Sequence, residues 1–147
     1  MNEAIGTAGV ICPDETPLLG FVSLVAPLVA AGNCVVAVPS GSYPLIAADL
    51  YQLFDASDVP GGVINIVTGR ALELLKVLAE HDDLEVLWCH GDEELCATAK
   101  RLSAGNLKQV WTNEGRRIDF FSSQQGEGRW YLEHACQVKN IWVPYGE

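Results

Sequence analysis

Val59-Pro60-Gly61-Gly62-Val63-Ile64-Asn65-Ile66-Val67-Thr68-Gly69 places a Pro-Gly-Gly turn directly before a β-branched run and ends that run on a glycine. The turn residues reverse the chain, and 63–67 reads as one of a set of strands that are apolar nearly throughout, as expected when helices cover both faces of a sheet. Pro44–Ala56 before it and 70–80 after it space their apolar residues helically, as in Leu72, Leu75, Val77 and Leu78. Working outward, strand-like runs recur at 9–12, Cys34–Val38, Val86–Cys89 and Gln109–Thr112, with helical segments 16–31 and 92–103 among them. Five strands joined by four crossover helices predict an α/β fold: an open parallel five-stranded Rossmann-like sheet with helices on both faces.

Composition sets outer bounds. The 147 residues are 49% apolar, enough for one core without disulfide or metal support. A net charge of -10, from nineteen acids against nine Lys and Arg, makes nucleic acid and anionic membranes poor partners, so neither is expected. The longest apolar stretch, 18–31, is punctuated by Gly20, Ser23 and Pro27 and is too short to span a bilayer. The first eight residues include an acid and no basic patch, which is unlike a secretory signal and leads to an expectation of a cytoplasmic protein. Cys12, Cys34, Cys89, Cys96 and Cys136 form an odd set without a CxxC pair, so no disulfide framework or metal site is expected, and Cys12, Cys34 and Cys89 read as buried thiols.

The pattern changes after Arg117. A Ser, Gln and Gly-rich loop at 122–129 leads to a short helical stretch at 130–136 and a final strand at 140–143. Three regions follow: 1–117 as the α/β unit, 118–136 as loop and short helix, and 137–147 as strand and tail. No GxGxxG follows the first strand and no GxxxxGK[ST] is present, so glycines give no phosphate cradle. His90 ends a strand, where open α/β sheets bind ligands, but otherwise reads as a partly exposed loop histidine.

Val10-Ile11-Cys12-Pro13, the run from Leu28 through Gly32-Asn33 to Val36, Pro39-Ser40 and above all 59–69 resemble the aldehyde dehydrogenase family. Members typically read "PWNFP", "PALAAGNTVVLKPSE", "PPGVVNVVTG", "FTGS" and "LKRVTLELGGK" in this order. The likeness runs from residue 9 to about 117, and 137–143 is similar to the family's C-terminal oligomerisation strand. The segment that would carry the family's cysteine nucleophile is missing between them. A truncated domain of this kind also resembles the second aldehyde-dehydrogenase-like domain of the long family 16 members, with its Ser-Asp-Val-Pro-Gly-Gly turn and Trp-Val-Pro-x-Gly tail.

The resemblance assigns roles to positions, and this chain departs at most of them. Glu15 stands for the Asn that donates to the developing oxyanion, which a carboxylate would repel. In the cofactor-binding stretch Val38, Pro39, Ser40, Gly41, the family's ribose-holding Lys and Glu correspond to Val38 and Gly41, which offer no side-chain hydrogen bond. Gly91 keeps its identity, but the next position, a serine in the family, is Asp92, whose carboxylate would cap the helix N-terminus a diphosphate needs. Asn113 replaces the general-base Glu, and Glu114 could substitute only through a register shift. The expectation is a non-catalytic, pseudoenzyme-type domain with a structural or oligomerisation role, binding no cofactor, or NAD weakly. The alternative is an NAD(P)-dependent aldehyde dehydrogenase subunit or fragment whose cysteine lies on another chain or an absent segment. Partners expected are a second copy or an aldehyde dehydrogenase domain, joined through Asn140, Ile141, Trp142 and Val143.

Overall fold

The computed structural model describes residues 1–145; Gly146 and Glu147, the end of the expected C-terminal tail, lie outside the described residues. Thirteen elements run in the order β1 (Asn2–Ala4), β2 (Thr7–Ile11), α1 (Pro17–Ala30), β3 (Cys34–Val38), α2 (Pro44–Ala56), β4 (Ile64–Ile66), α3 (Ala71–Glu80), β5 (Val86–Cys89), α4 (Glu93–Leu102), a 3₁₀ turn (Ser103–Gly105), β6 (Gln109–Thr112), α5 (Arg129–His134) and β7 (Cys136–Val138). Five strands form one parallel sheet in the order β4-β3-β2-β5-β6. The chain builds outward from β2 to one edge, then returns past it to build the other. The order therefore reverses beside β2, the switch point where such sheets open a crevice.

Apolar residues on alternate sides of the strands explain the two layers. Val10, Val35, Ala37 and Trp88 pack under α1, α2 and α5 with Phe21, Leu24, Leu28 and Tyr131. Ile11, Val38, Leu87 and Cys89 pack under α3 and α4 with Leu75, Leu78 and Ala99. Pro17 and Pro44 open α1 and α2 at first-turn positions, where a missing N–H costs nothing. The chain turns out of α1 at Gly32, just past the cap residue Ala31, where a φ of +92° suits a residue without Cβ, and the Asn33 amide then donates back to Leu28 O.

The buried Asn33 side chain locks this corner. Its Oδ1 accepts from Ile5 N (2.7 Å) and Gly6 N (3.0 Å), while its Nδ2 donates to Leu28 O (2.9 Å) and Ala135 O (2.8 Å). One amide thus joins the entry to β2, the end of α1 and the segment after α5. The α5 helix is further held by an aromatic cluster around Trp111 of β6, which stacks on His134 at 4.2 Å and meets Trp130 and Tyr131 edge-on at 5.2 and 5.5 Å.

Three expectations need correction. The C-terminal strand lies at Cys136–Val138, not at Asn140, Ile141, Trp142 and Val143, and it pairs antiparallel with β1 rather than joining the main sheet. A strand needs a partner; the last backbone bonds of this ladder are those that Met1 and Lys139 exchange, two residues before Ile141, and among the described residues 140–143 pair with no strand. Cys34 is exposed at the start of β3, whereas Cys12 and Cys89 are buried as expected. His90 is buried at 1% exposure, because the Trp111 ring from the neighbouring strand lies across it.

Candidate functional site

Parallel register brings the strand ends together. Ile11 lies beside Val38 on one side and Cys89 on the other, so Cys12-Pro13, Pro39-Ser40 and His90-Gly91 emerge side by side at the carboxyl edge. A cleft of about 810 Å³ opens there, lined among others by Pro13, Glu15, Gly41, Arg70, His90 and Asp92. A smaller recess of about 140 Å³ continues from it, with His90, Asn113, Arg116 and Arg117 in its walls.

Asp14 closes one side of the cleft. It accepts from Ser40 Oγ (2.5 Å) and Ser42 N (3.3 Å), bridging the end of β2 to the loop after β3. Partial burial pushes its carboxyl up, but the hydrogen bonds from Ser40, Ser42 and Gly41 outweigh this and hold it below the ordinary carboxylate range. Ser40 is consequently a buried structural tie, beside the buried Pro39. Val38 is 1% exposed and belongs to the core under α3, so its side chain is committed there. Gly41 borders the cleft with open space where a Cβ would stand.

At the other side, Asp92 caps α4, its Oδ1 accepting from Leu95 N at 2.8 Å. Glu93 and Glu94 follow in the first turn, so three carboxylates crowd the positive end of the helix dipole. Gly91 is hemmed in from the same helix, since a Cβ there would meet Leu95 at 2.6 Å.

Asn113 uses its amide at both ends. Oδ1 accepts from Gly91 N (3.1 Å) and from Cys96 Sγ (3.0 Å), and Nδ2 donates to Gly91 O (2.9 Å) and Arg116 O (2.8 Å). A carboxylate could make the first two bonds and neither of the last two. The turn that follows has Glu114 and Gly115 both at positive φ, +53° and +70°, and packs so closely on α4 that a Cβ on Gly115 would lie 2.9 Å from Glu93 N. Glu114 points away from the cleft: its carboxylate binds Lys100 and accepts from Thr112 Oγ1 (2.8 Å), and these two contacts, with the nearby Arg116 charge, lower its pKa.

Sequence reasoning missed two features here. Neither ring nitrogen of His90 has a hydrogen-bond partner, and burial lowers its pKa to about 4, so the imidazole stays neutral. Cys96 sits in the first turn of α4 beside Cys89, and the pairing pulls its thiol pKa below the ordinary value while that coupling and burial push Cys89 up. Cys96 is nonetheless 2% exposed and bonded to Asn113, which leaves it no path to a substrate. The approach of Asn113 to Cys96 and Gly91 was hidden in sequence by separations of 17 and 22 residues. Among the described residues no three His, Cys, Asp or Glu side chains converge as metal ligands.

An open parallel sheet with a crevice at its switch point defines an α/β domain of the dinucleotide-binding type. The chain belongs to the aldehyde dehydrogenase family, whose pattern residues 1–117 match. It is 34% identical to betaine aldehyde dehydrogenase of Bacillus subtilis over 110 residues, 75% of this chain and 22% of that enzyme. It is 32% identical to aldehyde dehydrogenase 1A1 of Equus caballus over 138 residues, 93% of this chain and 27% of that one. Among solved structures, indole-3-acetaldehyde dehydrogenase in apo form superposes with a TM-score of 0.75 at 29% identity, covering 78% of this chain and 27% of the other. A variant of AldC from Pseudomonas syringae, in complex with NAD+ and octanal, gives 0.73 at 33% identity, covering 76% and 23%. The chain thus spans about a quarter of the length of the relatives it matches.

Proposed function

We propose that this chain is a non-catalytic aldehyde-dehydrogenase-like domain with a structural role, retaining the family's sheet without its dinucleotide chemistry. The observation that carries the reading is Asp92 on the N-terminus of α4, backed by Glu93 and Glu94. An anionic diphosphate would meet carboxylates where it needs free N–H groups and a positive dipole end. The residues do not fit the cofactor elsewhere either: Val38 is buried in the core and Gly41 has no side chain. Asn113, bonded on all sides, cannot serve as a base. Titration calorimetry with NAD tests this. The expected result is no sub-millimolar binding; a sub-millimolar Kd overturns the reading.

Assembly is the role left to such a domain. Ile141, Trp142 and Val143 are 64, 90 and 67% exposed, and Asn140 precedes them without strand pairing. In this reading they add to a sheet in a second copy or in an aldehyde dehydrogenase domain, with backbone bonds supplying the pairing. Five free cysteines suit the reducing cytoplasm. The coverage of only 22 to 27% of the relatives favours a second reading, in which the chain is one part of a dehydrogenase whose cysteine lies on another chain or segment. Calorimetry separates the two, because that part would still need to hold NAD(P).

A further inference from the structure

The recess of about 140 Å³ beside the cleft brings together groups that have no partner elsewhere in the fold. At roughly 30 Å³ for each liquid water, it takes about five waters or a solute of that bulk. His90 lines it, 1% exposed, and both of its ring nitrogens lack a hydrogen-bond partner. An orphaned buried polar group of this kind marks a place for an ordered water or ligand. Arg116 and Arg117 line the same recess, as do Glu15 and Asp92. Arg116, Arg117 and Glu15 take part in none of the four ion pairs among the described residues. The turn that carries the two arginines is pinned, since Arg116 N donates to Asn113 O (2.9 Å) and Asn113 Nδ2 donates to Arg116 O (2.8 Å). Ile118 and Phe120 add apolar surface to the lining.

We propose that this recess binds a small free α-amino acid, its carboxylate held by the Arg116 and Arg117 guanidiniums and its ammonium group by Glu15. The charges of the walls choose the ligand. A plain anion would meet the carboxylates of Glu15 and Asp92, and a plain cation would meet the two arginines. A zwitterion carries both charges within a few bonds of each other and answers both walls at once. Guanidinium suits its carboxylate because the planar fork pairs with two oxygens together, whereas a carboxylate suits a compact ammonium. The available bulk admits alanine or serine, and the Ile118 and Phe120 surface receives a short side chain better than a charged one. The neutral His90 ring has one N–H and one lone pair to offer, which the ligand or a water it carries would occupy. Because Asn113 already holds the backbone at Arg116, little ordering of the turn is needed on binding. Glu15, a carboxylate set against the oxyanion of the family's reaction, thereby acquires a role of its own. The site uses neither a nucleophile nor NAD, so it stands or falls independently of the function proposed above.

The test is titration of the ¹⁵N-labelled full chain with L-alanine, followed in proton–nitrogen correlation spectra that include the His90 ring nitrogens. Propionate and ethylamine, each carrying one of the two charges, serve as half-ligands. Glu15→Gln and a double change of Arg116→Gln with Arg117→Gln complete the set; all three positions are exposed, so circular dichroism should show native folds. The expected result is saturable alanine binding with a Kd of about 1 mM or tighter, seen at Gly91, Arg116, Arg117 and the His90 ring, with both half-ligands at least about tenfold weaker. The arginine changes should weaken alanine and propionate alike, and Glu15→Gln should weaken alanine at least about tenfold while leaving propionate no weaker. No alanine binding at about 20 mM, propionate or ethylamine binding as tightly as alanine, or either variant binding alanine like the parent chain overturns the proposal.

Discussion

Replacing Asn33 by Ala tests how much of this domain rests on one amide. The side chain is 1% exposed and makes four hydrogen bonds, to Ile5 N, Gly6 N, Leu28 O and Ala135 O. Leu28 O keeps a second donor in Asn33's own backbone N–H, so it is not orphaned. Three groups lose their partner: two amides in a part-buried setting, which water can partly reach, and the buried Ala135 carbonyl. At about 1 kcal/mol for each lost bond, and somewhat more for the buried carbonyl, the expected loss is about 3–4 kcal/mol. Against a typical total of about 5–15 kcal/mol this is a large fraction. Urea unfolding followed by tryptophan fluorescence reads it, since Trp88 and Trp111 sit in the core and cluster that α5 covers. Asn33→Asp is the sharper companion, because a carboxylate keeps both accepting bonds but faces two carbonyls it cannot donate to. Its folded pKa should be raised, so the variant gains stability as pH falls through that value, opposite to an ion-paired acid. An Asn33→Ala loss under about 1 kcal/mol, or an Asn33→Asp protein without that pH trend, would refute the reasoning.

Three further outcomes follow from the site. His90, neutral and buried with its pKa lowered from 6.5 to about 4, binds protons more readily in the unfolded chain, so stability should fall as pH drops from about 6.5 to about 4, by up to about 3 kcal/mol. His90→Phe should flatten that slope in pH-dependent urea unfolding, and an unchanged slope would place its origin elsewhere. Asn113→Glu, which installs the residue of the family's general base, should cost about 1–3 kcal/mol by abandoning the Gly91 and Arg116 carbonyls, and equal stability by thermal unfolding would show that the bracket is dispensable. Asp92→Ser should lose no more than about 1 kcal/mol, since serine also caps, and a loss of several would reveal an ionic partner for the carboxylate.

What the sequence disclosed, it disclosed through periodicity and end chemistry. The crossover helices repeat their apolar residues at helical spacing, the strands between them are short and β-branched, and Asp92 before two glutamates announces a capped helix. Strand order was not legible, because no local residue states on which side of β2 a crossover lands. Asn2-Glu3-Ala4 has neither the length nor the alternation of a strand, and it becomes one only through Cys136–Val138, more than 130 residues away. The run at 141–143 failed in the opposite sense, having strand composition but no partner among the described residues. At the site, a family comparison located Glu15, Val38, Gly41, Asp92 and Asn113, but the way Asn113 brackets Gly91 depends on the turn at Glu114-Gly115. His90 looked like a loop residue because the ring that covers it belongs to a different strand.

In the function proposed above, the family's sheet persists here without its reaction. The most direct test is steady-state NADH formation by the purified chain with a panel of aliphatic and aromatic aldehydes, followed at 340 nm and repeated with each of Cys12, Cys34, Cys89, Cys96 and Cys136 changed to Ser. No aldehyde-dependent NADH above the enzyme-free rate is expected. Turnover abolished by one of these cysteine changes would contradict it.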